Sequence, residues 1–393
     1  MRGLRKYLTP FAPDQSGAVS VLYELGGLIA ICDAGGCTGN VCGFDEPRWF
    51  EQKSALFSAG LRDMDAILGR DDRLVEKLVD AASKLDVKFV AIIGTPVPAV
   101  IGTDYKALGR MCEKRLNMPV ITIDTDGMEL YDVGEEKAWL ELFRTFAEKG
   151  NPNLDIEKKR GKIGVLGLTP QDISDLRAPK KIREYYQEKE GKEAICYCMG
   201  ENVGRMVYGI DNARTAGEVE KNIVVSPAAL AAAKYLEKTF GTPYEATYPI
   251  VEELVPDMDY RRKKILIVHQ QVIGNTMRAE IRRRCQKVNE DSSVDNNAAI
   301  TVASWFMMKP ELSEEGDISF REEDDYMELV KEEDYDIVFA DPMMKRMTED
   351  AYKMAGTGCV ADAHETERKR IFIDATHFAV SGKLREEMKK REA

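Results

Sequence analysis

Histidine is scarce in this 393-residue chain: three occur, His269, His364 and His377. That argues against a zinc site built on several imidazoles. No G-x-x-x-x-G-K-[ST] loop is present, so the chain lacks the phosphate cradle of proteins that hydrolyse ATP themselves. No G-x-G-x-x-G follows the first apolar run, which weakens a dinucleotide reading. The G-x-S-x-G elbow of a serine nucleophile is also missing. No apolar run approaches the ~18 residues of a membrane span. The start, Met1 to Tyr7 followed by Thr-Pro-Phe-Ala-Pro, has no apolar segment of the signal-peptide kind. Basic residues are outnumbered, 56 against 68 acidic, for a formal charge of −12. A nucleic-acid binder carries the opposite excess, and so does a protein docked on anionic lipid. The expectation is a cytoplasmic protein with neither nucleic acid nor membrane as partner. Its eight cysteines are then not expected to form structural disulfides. Each is a buried thiol or a metal ligand.

What is present is a repeated order of apolar run, loop and helical pattern. Leu22–Cys32 ends in a glycine-rich loop, Phe89–Ile93 ends at Gly94-Thr95-Pro96, and Val120–Ile123 ends at Asp124-Thr125-Asp126-Gly127. Between them lie amphipathic stretches such as Arg73–Leu85, with Leu74, Leu78 and Ala81 at helical spacing. The pattern restarts after the polar stretch Glu148–Arg160, with Ile163–Leu168, Ala194–Met199 and Asn222–Val225. It restarts again after Pro256–Arg262, with Lys264–Val268, Asp336–Ala340 and Arg370–Asp374. Such alternation predicts an α/β protein. The reading is three Rossmann-like domains with mainly parallel sheets around a central cleft, spanning residues 1–158, 159–258 and 259–393. The acidic segment Leu312–Asp334 reads as a solvated helix or loop.

The segment richest in chemistry is Cys32-Asp33-Ala34-Gly35-Gly36-Cys37-Thr38-Gly39-Asn40-Val41-Cys42-Gly43. Three cysteines recur every five residues just after an apolar strand, where α/β folds place sites. Gly35 and Gly36 leave the backbone free to approach a bulky group. Thiolates suit iron–sulfur clusters or zinc, and the lack of C-x2-C pairs disfavours zinc. The plainer alternative is a flexible loop with core cysteines. The loop runs on to Arg48-Trp49-Phe50, where the aromatics could shield a cluster and Arg48 could balance its charge, or all three could simply begin a helix.

These residues resemble the nitrogenase component-one superfamily. There a strand leads into a His-Gly-Pro-x-Gly-Cys turn whose cysteine binds a cluster at a subunit interface. Cys32 to Cys37 occupies that turn here, with Cys37 at the ligand position. Asp63–Gly69 followed by Arg73-Leu74, Thr95–Asp104, and Asn222–Ser226 with Ala228–Pro243 are similar to later family segments. The resemblance implies an iron–sulfur cluster, [4Fe–4S] or larger, bridging two subunits, with Cys37 as a thiolate, Cys42 or Cys32 or both as the others, and Gly35, Gly36 and Thr95 around it. It also implies a separate ATP-dependent iron–sulfur reductase as electron donor, a second copy or a paralogous subunit as dimer partner, and a small organic or tetrapyrrole substrate. Two departures stand out. Pro96 follows Thr95 where a second cluster cysteine often stands, and Ser226 falls where nitrogenase's catalytic subunit has its cofactor cysteine. A molybdenum-type cofactor is therefore not expected.

Other strand ends supply candidates for a substrate cleft. His269 follows Lys264–Val268 and could act as a proton donor, or be a hydrogen-bonded structural histidine. Cys198 and Cys196 share one strand face, as site residues or buried thiols. His377 precedes Ser381-Gly382 in a turn that could bind an anion or cap a helix. Ser226, Asp341 and Cys359 are further candidates. Cys112 reads as core and Cys285 as lining a solvated helix. A scaffold that assembles a cluster for transfer, and a metal-free ligand-binding protein, are the alternative functions.

Overall fold

The computed structural model describes residues 5–62, 65, 69, 71–147, 161–198, 209–287, 297–354 and 370–377. The expected linker at 148–160, most of 63–68, Gly200, Cys359, His364 and Ser381-Gly382 lie outside the described residues.

Three sheets form, and every paired strand in them is parallel. The first holds β1 (Leu28–Ile31), β2 (Ala55–Ser58), β3 (Val90–Ile93) and β4 (Val120–Ile123), in the order β2-β1-β3-β4. The second holds β5 (Lys162–Leu166), β6 (Glu193–Cys196), β7 (Lys221–Val224) and β8 (Tyr244–Ala246), ordered β6-β5-β7-β8. The third holds β9 (Lys264–Val268), β10 (Ala299–Ser304), β11 (Ile318–Ser319), β12 (Ile337–Ala340) and β13 (Ile371–Asp374), ordered β11-β10-β9-β12-β13. The inner strands β1, β3 and β12 are buried along their whole length. Helices cover both faces of a parallel sheet, so such strands read as unbroken apolar runs.

Each order reverses once, between β1 and β3, between β5 and β7, and between β9 and β12. Ligands of doubly wound sheets bind outside the strand ends at these reversals. The loops after Ile31 and Ile93, after Leu166 and Val224, and after Val268 and Ala340 are thus the places to look for chemistry.

The described chain divides into two compact units. One covers residues 11–246 and holds the first two sheets. Its centre is the helix Asp14–Leu22, buried on every side, as an all-round core helix must be. It packs against the helix Tyr131–Phe146 through a contact that admits no side chain. A Cβ on Gly17 would lie 1.9 Å from the Tyr131 carbonyl oxygen, and one on Gly134 would lie 1.8 Å from that of Asp14.

The other unit covers residues 5–10 and 247–377 and holds the third sheet. Here the acidic segment forms a helix with most of its carboxylates in solvent, as expected, while a few of its residues are built into the unit. β11 pairs with β10, and the helix Glu323–Glu333 buries Glu323, Tyr326 and Val330. The Glu323 carboxylate accepts the N–H groups of Lys6, Tyr7 and Leu8 at 2.7, 3.0 and 2.7 Å. Burial opposes its charge, yet these donors hold its pKa below the ordinary value. Cys285 departs from expectation: it is buried. No helix among the described residues is long and apolar enough to cross a membrane.

Replacing Gly17 with alanine should force the two central helices apart. The expected cost is about 1–3 kcal/mol of unfolding free energy, read from the denaturant midpoint. An unchanged midpoint would mean that the contact yields freely.

Candidate functional site

β1 leads into the cysteine loop at the first sheet's reversal. Gly35 has φ +118°, a conformation closed to side chains bearing a Cβ. A short helix, Gly36–Asn40, then runs on into a π-helical turn, Val41–Asp45. The Glu46 N–H closes that turn onto the Val41 carbonyl at 2.9 Å. Inserted π turns are frequent at functional sites.

Two carboxylates pin this loop. Buried Asp33 accepts the Thr38 N–H at 2.8 Å and the Thr38 and Ser58 hydroxyls at 3.0 and 2.5 Å. Asp45 accepts the Ser16 hydroxyl and the Asn40 amide, both at 2.7 Å. Sequence reading missed both. An aspartate just ahead of a helix is a capping signal, so Asp33 was open to discovery. Asp45 was not, because Ser16 is distant in the chain.

The three thiols are not equivalent. Cys32 is 2% exposed and packs with Leu28, Ala30 and Cys112 in the apolar core. Burial, with Asp33 beside it, pushes its thiol up to about 12. Cys37 and Cys42 lie on the helical segment and are partly exposed. Their thiols are also shifted upward, by burial first and then by Asp33 and Glu46 respectively. A metal would have to displace their protons. Open space surrounds the loop, since a Cβ on Gly36, Gly39 or Gly43 would meet nothing within 4 Å. Among the described residues no three His, Cys, Asp or Glu side chains converge as a metal site. One chain therefore offers two accessible thiols, a fitting half of a four-thiolate set. Phe44 and Phe50, on and just beyond the same segment, are 60% and 50% exposed.

Thr95 is fully buried, and its hydroxyl donates to the Cys32 carbonyl at 2.7 Å. It ties the ends of β1 and β3 together and does not reach into the open loop. Arg48 is buried too. Its Nε and Nη2 meet both oxygens of Glu46 at 2.7 Å, and Nη2 also donates to the Ser20 carbonyl at 2.7 Å. Nη1 reaches Glu24 and the Cys198 carbonyl, both at 3.3 Å. Burial opposes the guanidinium charge, but Glu46 and Glu24 hold its pKa above the ordinary value. Arg48 is thus committed to internal partners. Cys198 is 1% exposed, and its thiol donates to the Leu168 carbonyl at 2.5 Å. Burial drives its pKa well up. Cys196 is buried as well. Ser226, buried at the second sheet's reversal, accepts the Ala228 N–H at 3.1 Å.

At the reversal of the third sheet, His269 and His377 come together. Their rings stack 4.5 Å apart at 11°, and Phe306 meets His377 edge-on at 4.8 Å. Both histidines are buried. His269 Nδ1 accepts the Gln270 N–H at 2.8 Å, and its ring also bonds the Thr376 backbone. Burial, then His377, lowers its pKa well below the ordinary value. Asp341 accepts the His377 N–H at 2.9 Å and the Met343 N–H at 3.0 Å.

Doubly wound parallel sheets with a cysteine loop at the first reversal define the α/β class of the protein. The family model for nitrogenase component 1 type oxidoreductases matches residues 16–251, more than half of the chain. The chain belongs to that family. It is similar to the nitrogenase iron-molybdenum cofactor biosynthesis protein NifE of Bradyrhizobium diazoefficiens, at 24% identity over 194 residues. That match covers 48% of this chain and 32% of the relative, so it spans about a third of the relative's length. Two solved structures share the fold. Nitrogenase Cp1 at pH 6.5 has a TM-score of 0.62 at 14% identity, covering 99% of this chain and 93% of the other. Nitrogenase Cp1 at pH 5 has a TM-score of 0.60 at 14% identity, covering 91% and 84%.

In the folded, metal-free chain, Cys37 and Cys42 should react with a thiol reagent while Cys32, Cys112 and Cys198 do so only on unfolding. The rate should keep rising with pH beyond the ordinary thiol range, because both pKa values are raised. Labelling with peptide mapping checks this, and equal labelling of Cys32 would contradict it. Arg48→Ala strands the buried Glu46 carboxylate and should cost about 3–5 kcal/mol of stability, measured by denaturant unfolding.

Proposed function

We propose that this chain is the iron–sulfur component of a nitrogenase-like reductase of the cytoplasm. It would accept single electrons from a separate ATP-dependent iron–sulfur reductase and reduce a small organic or tetrapyrrole substrate. The observation that carries the reading is the pairing of two accessible thiols, Cys37 and Cys42, with exposed Phe44 and Phe50 on and beside one helical segment. Two copies of that segment, or one copy and a paralogous subunit, supply four thiolates, the number that holds a [4Fe–4S] cluster. Bound there, the cluster would supply one-electron chemistry. Asp33 and Asp45 hold the loop in shape, and Phe44 and Phe50 keep water from the joined surface. Cys32 serves as packing, and Arg48 as the anchor behind the loop.

Proton handling would fall to the histidine pair. His269, stacked on His377, positions that ring, and Asp341 holds the His377 backbone. Ser226 in place of a cofactor cysteine fits a substrate other than dinitrogen.

A second reading is a scaffold that builds a cluster and hands it on. The similarity to a protein named for cofactor biosynthesis favours it.

Cys37→Ser and Cys42→Ser should each lose bound iron after anaerobic reconstitution, while Cys32→Ser retains it. Full iron in the Cys37 variant would refute the ligand assignment. An enzyme keeps its cluster through repeated reduction and reoxidation; loss of iron to an added acceptor protein would favour the scaffold.

A further inference from the structure

The buried face of the helix Tyr131–Phe146 carries an arrangement that the cluster reading does not use. Glu135 is fully buried, and Asp172, in the turn after β5, is 1% exposed. The Thr169 hydroxyl donates to Glu135 Oε1 at 2.6 Å, and the Tyr131 hydroxyl donates to Asp172 Oδ1 at 2.8 Å. Glu135 Oε2 meets no N–H or O–H donor among the described residues. Thr169 on Glu135 and Tyr131 on Asp172 hold the two carboxyls within interaction reach of each other. Two carboxyls can bond each other only when one carries a proton. The residue before Asp172 in the turn, Gln171, donates its amide to the Asp45 carbonyl at 3.0 Å. Asp45 closes the π turn that bears Cys42.

We infer that Glu135 and Asp172 share one proton and act as a proton-held latch, which fixes the 169–173 turn against the end of the cysteine loop. Loss of the proton would set two carboxylates against each other without water. The turn would move, and Gln171 would release Asp45.

The charges around the pair agree. Burial first, then Asp172 and Asp132, pushes Glu135 well above the ordinary carboxyl range, opposed by Thr169. Cys198, at the end of β6, is within its electrostatic reach. From the Asp14–Leu22 helix comes Asp14, whose carboxylate accepts the Asp126 and Gly127 N–H groups at 2.9 and 2.8 Å. β4 and the turn Pro227–Ala229 bring no titratable group. Asp211 and Arg214 of Ile210–Arg214, and Lys234, Glu237 and Lys238 of Leu230–Phe240, are solvent-exposed, while Tyr235 packs on Phe240.

The sign follows from linkage. The folded pair keeps a proton that the unfolded chain releases above the ordinary carboxyl pKa. The latch is therefore complete at low pH and lost as pH rises through the folded-state value.

The test uses the full chain and needs no iron, so its failure and that of the cluster proposal are separable. Infrared spectroscopy at neutral pH should show a protonated-carboxyl C=O band that both Glu135→Gln and Asp172→Asn remove. Hydrogen exchange then reads the latch. In the natural chain the protection factors of 41–46 and 169–173 should fall about tenfold per pH unit where opening releases the proton. In Glu135→Gln, whose amide can donate to Asp172, they should stay flat. Absence of the band in the natural chain overturns the inference even if neither variant folds. An equal pH dependence in the natural chain and Glu135→Gln overturns it as well.

Discussion

The buried guanidinium of Arg48 is the constraint on which the cysteine loop depends. It joins the loop's far end, through Glu46, to the Asp14–Leu22 helix at Ser20, to Glu24, and to the backbone of the second sheet at Cys198. A buried ion pair is weak evidence of net stability, because desolvation offsets much of the attraction. Its geometric effect is large all the same. Each donor is directed at a fixed acceptor, so the segment after Asp45 has one place to lie. Asp33 does the same at the near end, through Thr38 and Ser58. Between two such anchors the loop can expose two thiols and Phe44 and still keep one shape.

The same geometry sorts the cysteines by role. Leu28, Ala30 and Cys32 are spaced two apart and share the face of β1 that packs into the core; Cys32 simply continues that face past the strand's end. Cys37 and Cys42 come after Gly35 has turned the chain away. The difference between packing thiol and accessible thiol is thus one turn of backbone at a glycine.

Much of the fold was legible. Strands such as Val90–Ile93, Val120–Ile123 and Lys264–Val268 are apolar because both faces are covered, and runs of that kind stand out in a sequence. Ala55–Ser58 and Ala299–Ser304 went unseen because their burial is partial and their composition mixed. The candidate site was legible in its spacing and opaque in its partners. From the sequence Arg48 is either a counter-charge for a cluster or part of a helix start, and Glu24 and Glu46 against it make it an internal anchor. His269 and His377 were separate candidates on strands far apart in the chain, and the sheet order that places β9 and β13 on either side of β12 brings their rings together. Glu135 and Asp172 had no local signature at all. Pairings of this kind follow from topology, and no short window of sequence contains them.

The central claim is that two accessible thiols from each of two chains hold one iron–sulfur cluster. Iron and acid-labile sulfide, measured with native mass on protein purified without oxygen, test it most directly. The account predicts about four iron per pair of chains, all of it in the two-chain species. Iron carried by single chains, or none even after reconstitution, would contradict it.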